Sequence, residues 1–320
     1  MIRAMILTLV LLAQTGFVYE DVFLEHRTGE GFPERPARLE AIVGRLKETG
    51  LTERLTKLTP REDAVDWIPE LHTRDYIERV KRVCATAVEG ETTIDTRDVP
   101  VSKRSYDAAV TAVGGVLAAV DAVAAGKIRT AFCAVRPPGH HALREKAMGF
   151  CLFNTVAIAA RYAQKKHGMA RILVVDWDVH HGNGTQDAFF DDPSVMLFDT
   201  HLAPFYPGTG AAEERGRGNI FNVPLPAGAG DAEVLKAYEA SLVPAATAFK
   251  PDLILISCGF DSAKGDRLGR MAITADGYAR MTRLVKGLQE KGRVISVLEG
   301  GYTLENLAAC SEAHVRALLD

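Results

Sequence analysis

The sequence lacks the features that identify several broad classes of protein. Its five cysteines include no Cys-x-x-Cys pair, and their odd number and wide spacing argue against a disulfide framework. No run of lysine and arginine forms a basic stripe, and the formal net charge is only -3, so charge provides no reason to bind nucleic acid directly. Internal repeats, low-complexity tracts and a long linker rich in proline or serine are also absent. These absences favour a single ordinary globular domain.

The cysteines and the N-terminus bear on the cellular compartment. The mostly apolar surroundings of the cysteines indicate buried free thiols in a reducing compartment, so we predict a cytoplasmic location. No residue near Cys151 or Cys258 would lower a thiol pKa, which disfavours a catalytic thiol. Residues 1–14 resemble a signal peptide with a poor cleavage site, and their apolar run is too short to span a bilayer. We interpret them as an apolar extension, either a leader or a first strand, which leaves secretion to the periplasm or beyond open.

Strands and helices alternate along the rest of the chain. Apolar segments that end in polar residues or glycine occupy residues 130–139, 171–178, 195–201, 252–261 and 293–301. Continuous apolar runs are typical of strands covered on both faces, as in parallel sheets. Helical patterns occupy residues 36–48, 75–88, 105–124, 154–167, 231–249 and 274–287. The alternation predicts an α/β fold, and residues 204–230 read as a long ordered loop.

The most informative segment is 171–184, an apolar strand that ends in Asp176, Asp178 and His180. Side chains alternate along an extended chain, so these three are expected to project from one side and converge on a point. Buried carboxylates and imidazoles are costly unless they are paired or bind a metal. Asp261 follows another apolar strand, although it could equally cap a helix. Together, Asp178, His180 and Asp261 would leave an open position on a tetrahedral Zn²⁺.

Two further motifs carry groups suited to acid–base chemistry. Two prolines and a glycine stiffen the loop before His140 and His141, which could act as a base for a metal-bound water and an acid for a leaving group. A lone histidine is usually structural, but an adjacent pair beside a metal motif favours catalysis. Tyr302 follows a glycine pair and could donate to a developing oxyanion, although a tyrosine packed on a turn would look the same.

These motifs and their order resemble the zinc-dependent histone deacetylase and acetylpolyamine amidohydrolase family, in its class II-like branch. The matching stretches are RPPGHHA at 136–142, GFCLFN at 149–154, VVDWDVHHGNGTQ at 174–186, FYPGTG at 205–210, SCGFDSAKGD at 257–266 and LEGGY at 298–302. The resemblance runs from about Thr15 to the C-terminus. It implies one catalytic domain over residues 15–320, with three α/β/α layers, a mainly parallel sheet and an active site at the C-terminal ends of the strands.

The resemblance also implies a role for each polar residue of the motifs. The zinc ligands would be Asp178, His180 and Asp261, and the acid, base and carbonyl-polarising groups would be His140, His141 and Tyr302. Asp176 would hydrogen-bond His140 and raise its basicity, and Asn183 would take the matching place behind His141. The class I branch has an aspartate at that second place, so Asn183 indicates the class II-like branch.

A second, structural cation is implied beside the zinc. The resemblance gives it the ligands Asp176, Asp199 and Thr200, together with backbone oxygens of Asp178 and His180. The cation would be K⁺, and it would offset the mutual repulsion of the buried carboxylates.

The resemblance further implies a narrow tunnel for the acyl-lysine side chain. Phe150 and Tyr206 would form its aromatic walls, the carbonyl of Gly149 would receive the amide N–H, and Leu268 would lie at the rim. Asp98 stands about where some members carry a carboxylate that holds the substrate backbone, although a solvated loop aspartate is equally compatible. A tube of this kind fits a four-carbon amine stem.

The expected reaction is removal of an acetyl or other acyl group from acetyl-lysine in a protein or peptide. A small acetylated amine such as an acetylpolyamine is the alternative substrate, and a non-catalytic binding module is disfavoured because every chemical position is intact. Leu268 is neutral, and Arg267 replaces the usual proline, so the rim favours a peptide over a cationic polyamine. Phe32 replaces the usual histidine of an N-terminal motif, which puts entrance-loop contacts in doubt. We predict no membrane partner and allow for a homo-oligomer.

Overall fold

The computed structural model describes residues 14–320. The extension predicted for residues 1–14 lies outside the described residues except for Gln14, so its interpretation as a leader or a strand stays a prediction. All five cysteines lie within the described residues, and each is buried and unpaired, as their surroundings predicted. The description below applies to this range.

Eight parallel strands form one sheet within residues 14–320. The strands are β1 Gln14–Val18, β2 Leu55–Lys57, β3 Ile128–Cys133, β4 Ile172–Asp176, β5 Val195–Leu202, β6 Ile220–Leu225, β7 Leu253–Cys258 and β8 Val294–Leu298. Their order across the sheet is β2-β1-β3-β8-β7-β4-β5-β6. Strands β4, β5, β7 and β8 are buried along their whole length, which is why they are mostly apolar, although β5 has the polar residues Asp199, Thr200 and His201 near its end.

Helices cover the sheet in two packed groups. The nine α-helices of the described range are α1 Ala37–Glu48, α2 Arg74–Ala85, α3 Ser105–Ala124, α4 Thr155–His167, α5 Asn183–Phe189, α6 Asp231–Ala237, α7 Val243–Phe249, α8 Ala275–Gly287 and α9 Leu304–Leu319. Helix α9 contacts α1, α8, β1 and β3, whereas α3 and α4 contact each other, with α3 on β1, β3 and β8 and α4 on β4 and β7. The predicted α/β architecture with a parallel sheet is confirmed.

The sequence patterns did not predict strands β1, β2 and β6 or helices α5 and α9. Strand β6 lies inside the segment 204–230, so the prediction of one long loop there is wrong for residues 220–225. This strand is at the edge of the sheet, pairs only with β5 and contains Pro224, which a strand tolerates where one side is unpaired. Its half-exposed, interrupted pattern therefore hid it. The predicted helix 231–249 is two α-helices joined by a π turn at Tyr238–Leu242.

Helix α3 is the one described helix long and apolar enough to cross a membrane by length and composition. In this fold most of it is buried, and it contacts β1, β3 and α4. A buried core helix satisfies the same criteria, so α3 is weak grounds for a membrane span.

Candidate active site

The polar motifs lie together because the strands that precede them are neighbours. The central order β3-β8-β7-β4-β5 brings the carboxyl ends of these five strands to one edge. The segments that leave this edge carry the tandem histidines after β3, Asp261 after β7 and Tyr302 after β8. Ligands bind at this edge in open parallel sheets, so the fold places every predicted catalytic group where such a site is expected.

Asp178, His180 and Asp261 form a cluster whose ligand atoms all lie within 4.8 Å of one another. Nδ1 of His180 is 3.0 Å from Oδ1 of Asp178 and 3.2 Å from Oδ2 of Asp261. Oδ2 of Asp261 is buried and accepts no hydrogen bond from the described part of the chain. A buried carboxylate oxygen without a donor, beside a second carboxylate and an imidazole, is the setting that a divalent cation satisfies. The donor set of two oxygens and one nitrogen fits Zn²⁺.

The buried groups of this cluster shift one another's pKa values. Burial and the neighbouring Asp178 raise the pKa of Asp261 to about 7. Burial alone would lower the pKa of His180, but the adjacent carboxylates of Asp178 and Asp261 raise it to about 9. The imidazole of His180 therefore lies between two buried carboxylates. A metal ion bound there would displace the His180 proton.

Two glycines let the backbone approach the metal cluster closely. The N–H of Gly300 donates to Oδ2 of Asp178 at 2.8 Å. A Cβ atom on Gly300 would lie 2.1 Å from Oδ2 of Asp261, and one on Gly259 would lie 2.2 Å from Oδ2 of Asp178. Both distances are far below ordinary van der Waals contact, so a side chain at either position would displace a carboxylate.

Asp176 does not join the metal cluster, which corrects the expectation that three donors converge on one point. Strand β4 ends at Asp176, and the chain then leaves the extended conformation, so the alternation of side chains stops there. Oδ1 of Asp176 accepts the N–H of Asp178 at 3.1 Å, and its Oδ2 lies 3.0 Å from Nδ1 of His140. The structure places Asp176 behind the histidine, as the family resemblance implied.

The tandem histidines are held by two different partners. Nδ1 of His140 faces Asp176, and Nδ1 of His141 lies 2.7 Å from Oδ1 of Asn183. Both rings are buried, with their centroids 4.0 Å apart. Because an amide oxygen and a carboxylate both accept, each Nδ1 carries a proton, and each Nε2 is left for chemistry.

The surroundings shift the pKa values of the two histidines in opposite directions. Burial alone would lower the pKa of His140, but the charge of Asp176 and of other nearby carboxylates raises it well above its usual value. Burial, then the positive charges of His140 and His180, hold the pKa of His141 well below its usual value. The pKa values of the two adjacent rings are therefore shifted in opposite directions, that of His140 toward the cation and that of His141 toward the neutral imidazole.

Tyr302 is buried beside the metal cluster and stays protonated. Burial, together with the negative charge of Asp261, raises the pKa of its hydroxyl well above the usual value. Its backbone N–H donates to Oδ2 of Asp266 at 2.7 Å, and the guanidinium of Arg38 lies 5.1 Å from its ring centroid. These contacts fix a neutral O–H donor at the wall of the cavity.

The residues implied to bind a monovalent cation also lie together. Oδ2 of Asp199 accepts the N–H of Gly182 at 2.9 Å, and the hydroxyl of Thr200 donates to the carbonyl of Asp176 at 3.5 Å. A Cβ on Gly182 would lie 2.4 Å from Oδ2 of Asp176 and 3.2 Å from Oδ2 of Asp199. Two buried carboxylates thus face the same small volume.

A cavity of about 520 Å³ lies beside the metal cluster. It is lined by the tandem histidines, His180 and Tyr302, and by all five residues implied to bind substrate: Asp98, Gly149, Phe150, Tyr206 and Leu268. The Phe150 and Tyr302 rings meet edge to face at 5.8 Å, and the Tyr206 ring meets His141 edge to face at 5.2 Å. The wall is mostly apolar, which suits an alkyl chain.

Some predicted neighbours do not take part in the chemistry. The ring of His181, next to His180, is occupied by contacts with Thr209 and Gln186. Burial raises the pKa of the Cys151 and Cys258 thiols well above the usual value, so neither is a thiolate at neutral pH. Both thiols therefore lack the lowered pKa that a catalytic cysteine needs.

Two buried glutamates support the site, and the sequence motifs gave them no role. Oε2 of Glu299 accepts the N–H of Gly139 at 2.7 Å and that of His140 at 3.2 Å, while its Oε1 has no hydrogen-bond partner among residues 14–320. Glu34 is fully buried and paired with Arg136 and Arg38. The sequence could have indicated a role for Glu299, because it stands between the apolar strand β8 and the glycine pair, and isolated buried charges are rare.

Comparisons with known proteins agree with this geometry. Residues 32–318 match the histone deacetylase domain. The polyamine deacetylase HDAC10 of Homo sapiens is 42% identical over 301 residues, which cover 89% of this chain and 44% of that protein. A probable deacetylase of Archaeoglobus fulgidus is 38% identical over 300 residues, covering 91% of this chain and 82% of that protein. The crystal structure of the HDA15 HD domain has a TM-score of 0.91 and 37% identity, and covers 96% of this chain and 88% of that one.

The relatives differ in total length. Histone deacetylase 5 of Arabidopsis thaliana is 37% identical over 327 residues, covering 96% of this chain and 49% of that protein. The chain therefore spans less than half of the human and Arabidopsis relatives but about four-fifths of the archaeal one.

Proposed function

The chain belongs to the histone deacetylase family, and from this premise we propose a zinc-dependent amidohydrolase that removes acyl groups from acyl-lysine in proteins or peptides. The observation that carries the proposal is the placement of the Asp178, His180 and Asp261 cluster beside a mostly apolar cavity that also contains the tandem histidines and Tyr302. In this arrangement the metal ligands, the acid–base groups and an oxyanion donor would all surround the carbonyl of a bound substrate. The products are a carboxylate, acetate in the simplest case, and a free amine.

Zinc held by Asp178, His180 and Asp261 would supply Lewis acidity toward the scissile carbonyl and toward water. His141 is the general base, because it is neutral and its Nδ1–H is bound to Asn183, so Nε2 can take a proton from water. His140 is the general acid, because the charge of Asp176 keeps it protonated. Its Nε2–H can protonate the departing amine nitrogen.

Tyr302 completes the chemistry as a hydrogen-bond donor. Its hydroxyl donates to the carbonyl oxygen as negative charge develops there, and its raised pKa prevents loss of the proton. Phe150 and Tyr206 hold the alkyl stem of the substrate, and the Gly149 carbonyl accepts the amide N–H. Asp98 is the proposed contact for the substrate backbone.

The second cation is also part of the proposal. K⁺ would bind Asp176, Asp199 and Thr200 together with backbone oxygens of Asp178 and His180. The approach of the Asp176 and Asp199 carboxylates around Gly182 supports this placement, since like charges in a buried volume need a counter-ion.

A small acetylated amine is the second candidate substrate, and one observation favours it: the human relative is named a polyamine deacetylase. The rim favours a peptide, because Leu268 is neutral and the exposed Arg267 would repel a polyamine. The five buried, unpaired cysteines support a reducing compartment. A cytoplasmic location and self-association stay predictions.

Zinc content and hydrolysis of a fluorogenic acetyl-lysine peptide test the proposal together. Asp178→Ala should lose both bound zinc and activity, whereas Asp191→Ala, at an exposed surface ion pair, should lose neither. Tyr302→Phe should lower kcat by about 10²- to 10³-fold with zinc content unchanged, because only the oxyanion donor is removed. Full activity of Asp178→Ala, or of the wild type after chelation, would contradict the proposal.

A further inference from the structure

We propose that the mouth of the cavity selects acyl-lysine flanked by acidic residues, and that Arg97 and Arg267 are the groups that recognise them. The inference rests on the proposed peptide deacylase function and names the chemistry of the substrate beyond the acylated side chain. It concerns two short segments, 95–98 and 266–268, which we call the mouth segments.

In the first mouth segment, Arg97 is the charged group without a partner. Its side chain is exposed and lines the cavity, and it makes no ion pair or side-chain hydrogen bond within residues 14–320. Both flanking carboxylates are engaged: Asp95 forms an ion pair with Arg79, and Asp98 accepts the N–H of Gly149 at 2.9 Å. These bonds anchor the segment to the cavity wall, so Arg97 is held at the mouth next to Asp98, with its guanidinium outside any ion pair in the described residues.

The second mouth segment is also fixed by an aspartate, but here the residue that lines the cavity is the neighbour of the arginine. Leu268 lines the cavity, and Arg267 beside it is exposed and has no ion-pair partner in the described part of the chain. Oδ1 of Asp266 accepts the N–H of Leu268 at 2.9 Å, and its Oδ2 accepts the N–H of Tyr302 at 2.7 Å. The turn that carries Arg267 is thereby fixed to the segment that carries the oxyanion donor.

The two arginines act on the peptide outside the tunnel. When an acyl-lysine side chain fills the cavity, the peptide backbone has to cross its mouth, where residues next to the lysine meet Arg97 and Arg267. A guanidinium pairs well with a carboxylate through two parallel hydrogen bonds. Lysine or arginine at the same positions, or the second amine of a polyamine, would meet like charge. Each exposed pair should change kcat/KM by about two- to five-fold.

Matched peptides test this inference directly. Blocked acetyl-lysine peptides that differ only in the two flanking residues, both Asp, both Ser or both Lys, are assayed for kcat/KM at low and at high salt. In the wild type, the Asp peptide should exceed the Lys peptide by about ten-fold at low salt, with a smaller ratio at high salt because salt screens exposed charges. The double variant Arg97→Glu, Arg267→Glu should reverse the order.

A charge control separates local recognition from the overall field of the protein. Arg129→Glu changes an exposed arginine near the start of β3, at the end of the sheet remote from the cavity, and should leave the peptide order unchanged. Equal kcat/KM for the three peptides in the wild type, or an order that the double variant does not alter, would overturn this inference alone. If the wild type hydrolyses acetylpolyamines but none of the peptides, the proposed peptide substrate falls and this inference with it.

Discussion

Replacing Gly300 with alanine would place a methyl carbon 2.1 Å from Oδ2 of Asp261 and 2.6 Å from Oδ2 of Asp178. Ordinary carbon–oxygen contact begins near 3.4 Å, so at least one carboxylate must move by more than an ångström. Metal sites tolerate ligand displacements of only about 0.2 Å. We therefore expect zinc affinity to fall by at least about 10- to 100-fold, the loss that follows even when supporting contacts of a metal site are removed.

The same substitution should lower stability modestly. Forcing one extra carbon into a packed site costs about 1–3 kcal/mol of unfolding free energy. Gly44→Ala is the matched control, because Gly44 lies exposed within helix α1 and no atom lies within 4 Å of the added methyl. That control should stabilise the protein by about 0.5–1 kcal/mol, since alanine restricts the unfolded chain and favours the helix.

Three measurements decide the outcome. Zinc bound per chain is measured by mass spectrometry after dialysis against a buffered zinc concentration. Activity is measured with an acetyl-lysine peptide, and stability is measured by urea unfolding. The expected Gly300→Ala protein folds but has lost zinc and activity, while Gly44→Ala retains both. Wild-type zinc content and kcat in folded Gly300→Ala would refute the assignment of Asp178 and Asp261 as metal ligands.

Two further predictions concern the buried glutamates. Glu299→Gln removes the negative charge that faces His140 and weakens the hydrogen-bond acceptor that holds the His140 loop. In steady-state assays kcat should therefore fall about 10- to 100-fold with KM nearly unchanged. An unchanged kcat would show that Glu299 has no positioning role. Glu34→Gln should cost about 3–5 kcal/mol at neutral pH, because it leaves the buried Arg136 without its carboxylate, whereas Glu89→Gln at an exposed pair should cost almost nothing. Burial alone would raise the pKa of Glu34, but Arg136 holds it well below the ordinary value of 4.5, so this stability is complete above that pH and is lost as the pH falls. Urea unfolding from neutral to acidic pH should therefore show wild type and Glu34→Gln converging in acid, and a constant gap would contradict this reasoning.

Much of the sheet could be predicted from local pattern, and the exceptions have a physical explanation. Strands β4, β7 and β8 are covered on both faces, so their sequences are continuously apolar and easily identified. Strand β2 has three residues and lies at one edge, and β6 lies at the other with Pro224 in it. Edge strands are half exposed, which removes the apolar signal on which such predictions depend.

The site followed the same division between local and distant information. Residue type and position at a strand end indicated Asp178, His180 and Asp261, because carboxylates and imidazoles in an apolar setting require a partner. Residue order also implied Tyr302 and the tandem histidines through the family resemblance. The alternation argument was wrong for Asp176, since it assumed that the strand continues beyond its last hydrogen-bonded residue.

The sequence by itself determined which chemical groups are present and that they follow buried strands, because both are local properties of the chain. Only the tertiary structure decided how the groups divide the work. The strand order places β8 between β3 and β7, so Glu299 reaches the loop of His140, about half the chain away in sequence, and Gly300 contacts Asp178. The same packing buries one histidine against a carboxylate and the next against an amide, and so shifts the pKa values of two adjacent identical residues in opposite directions. Charge state and metal ligation depend on neighbours that are distant in sequence, which no local pattern contains.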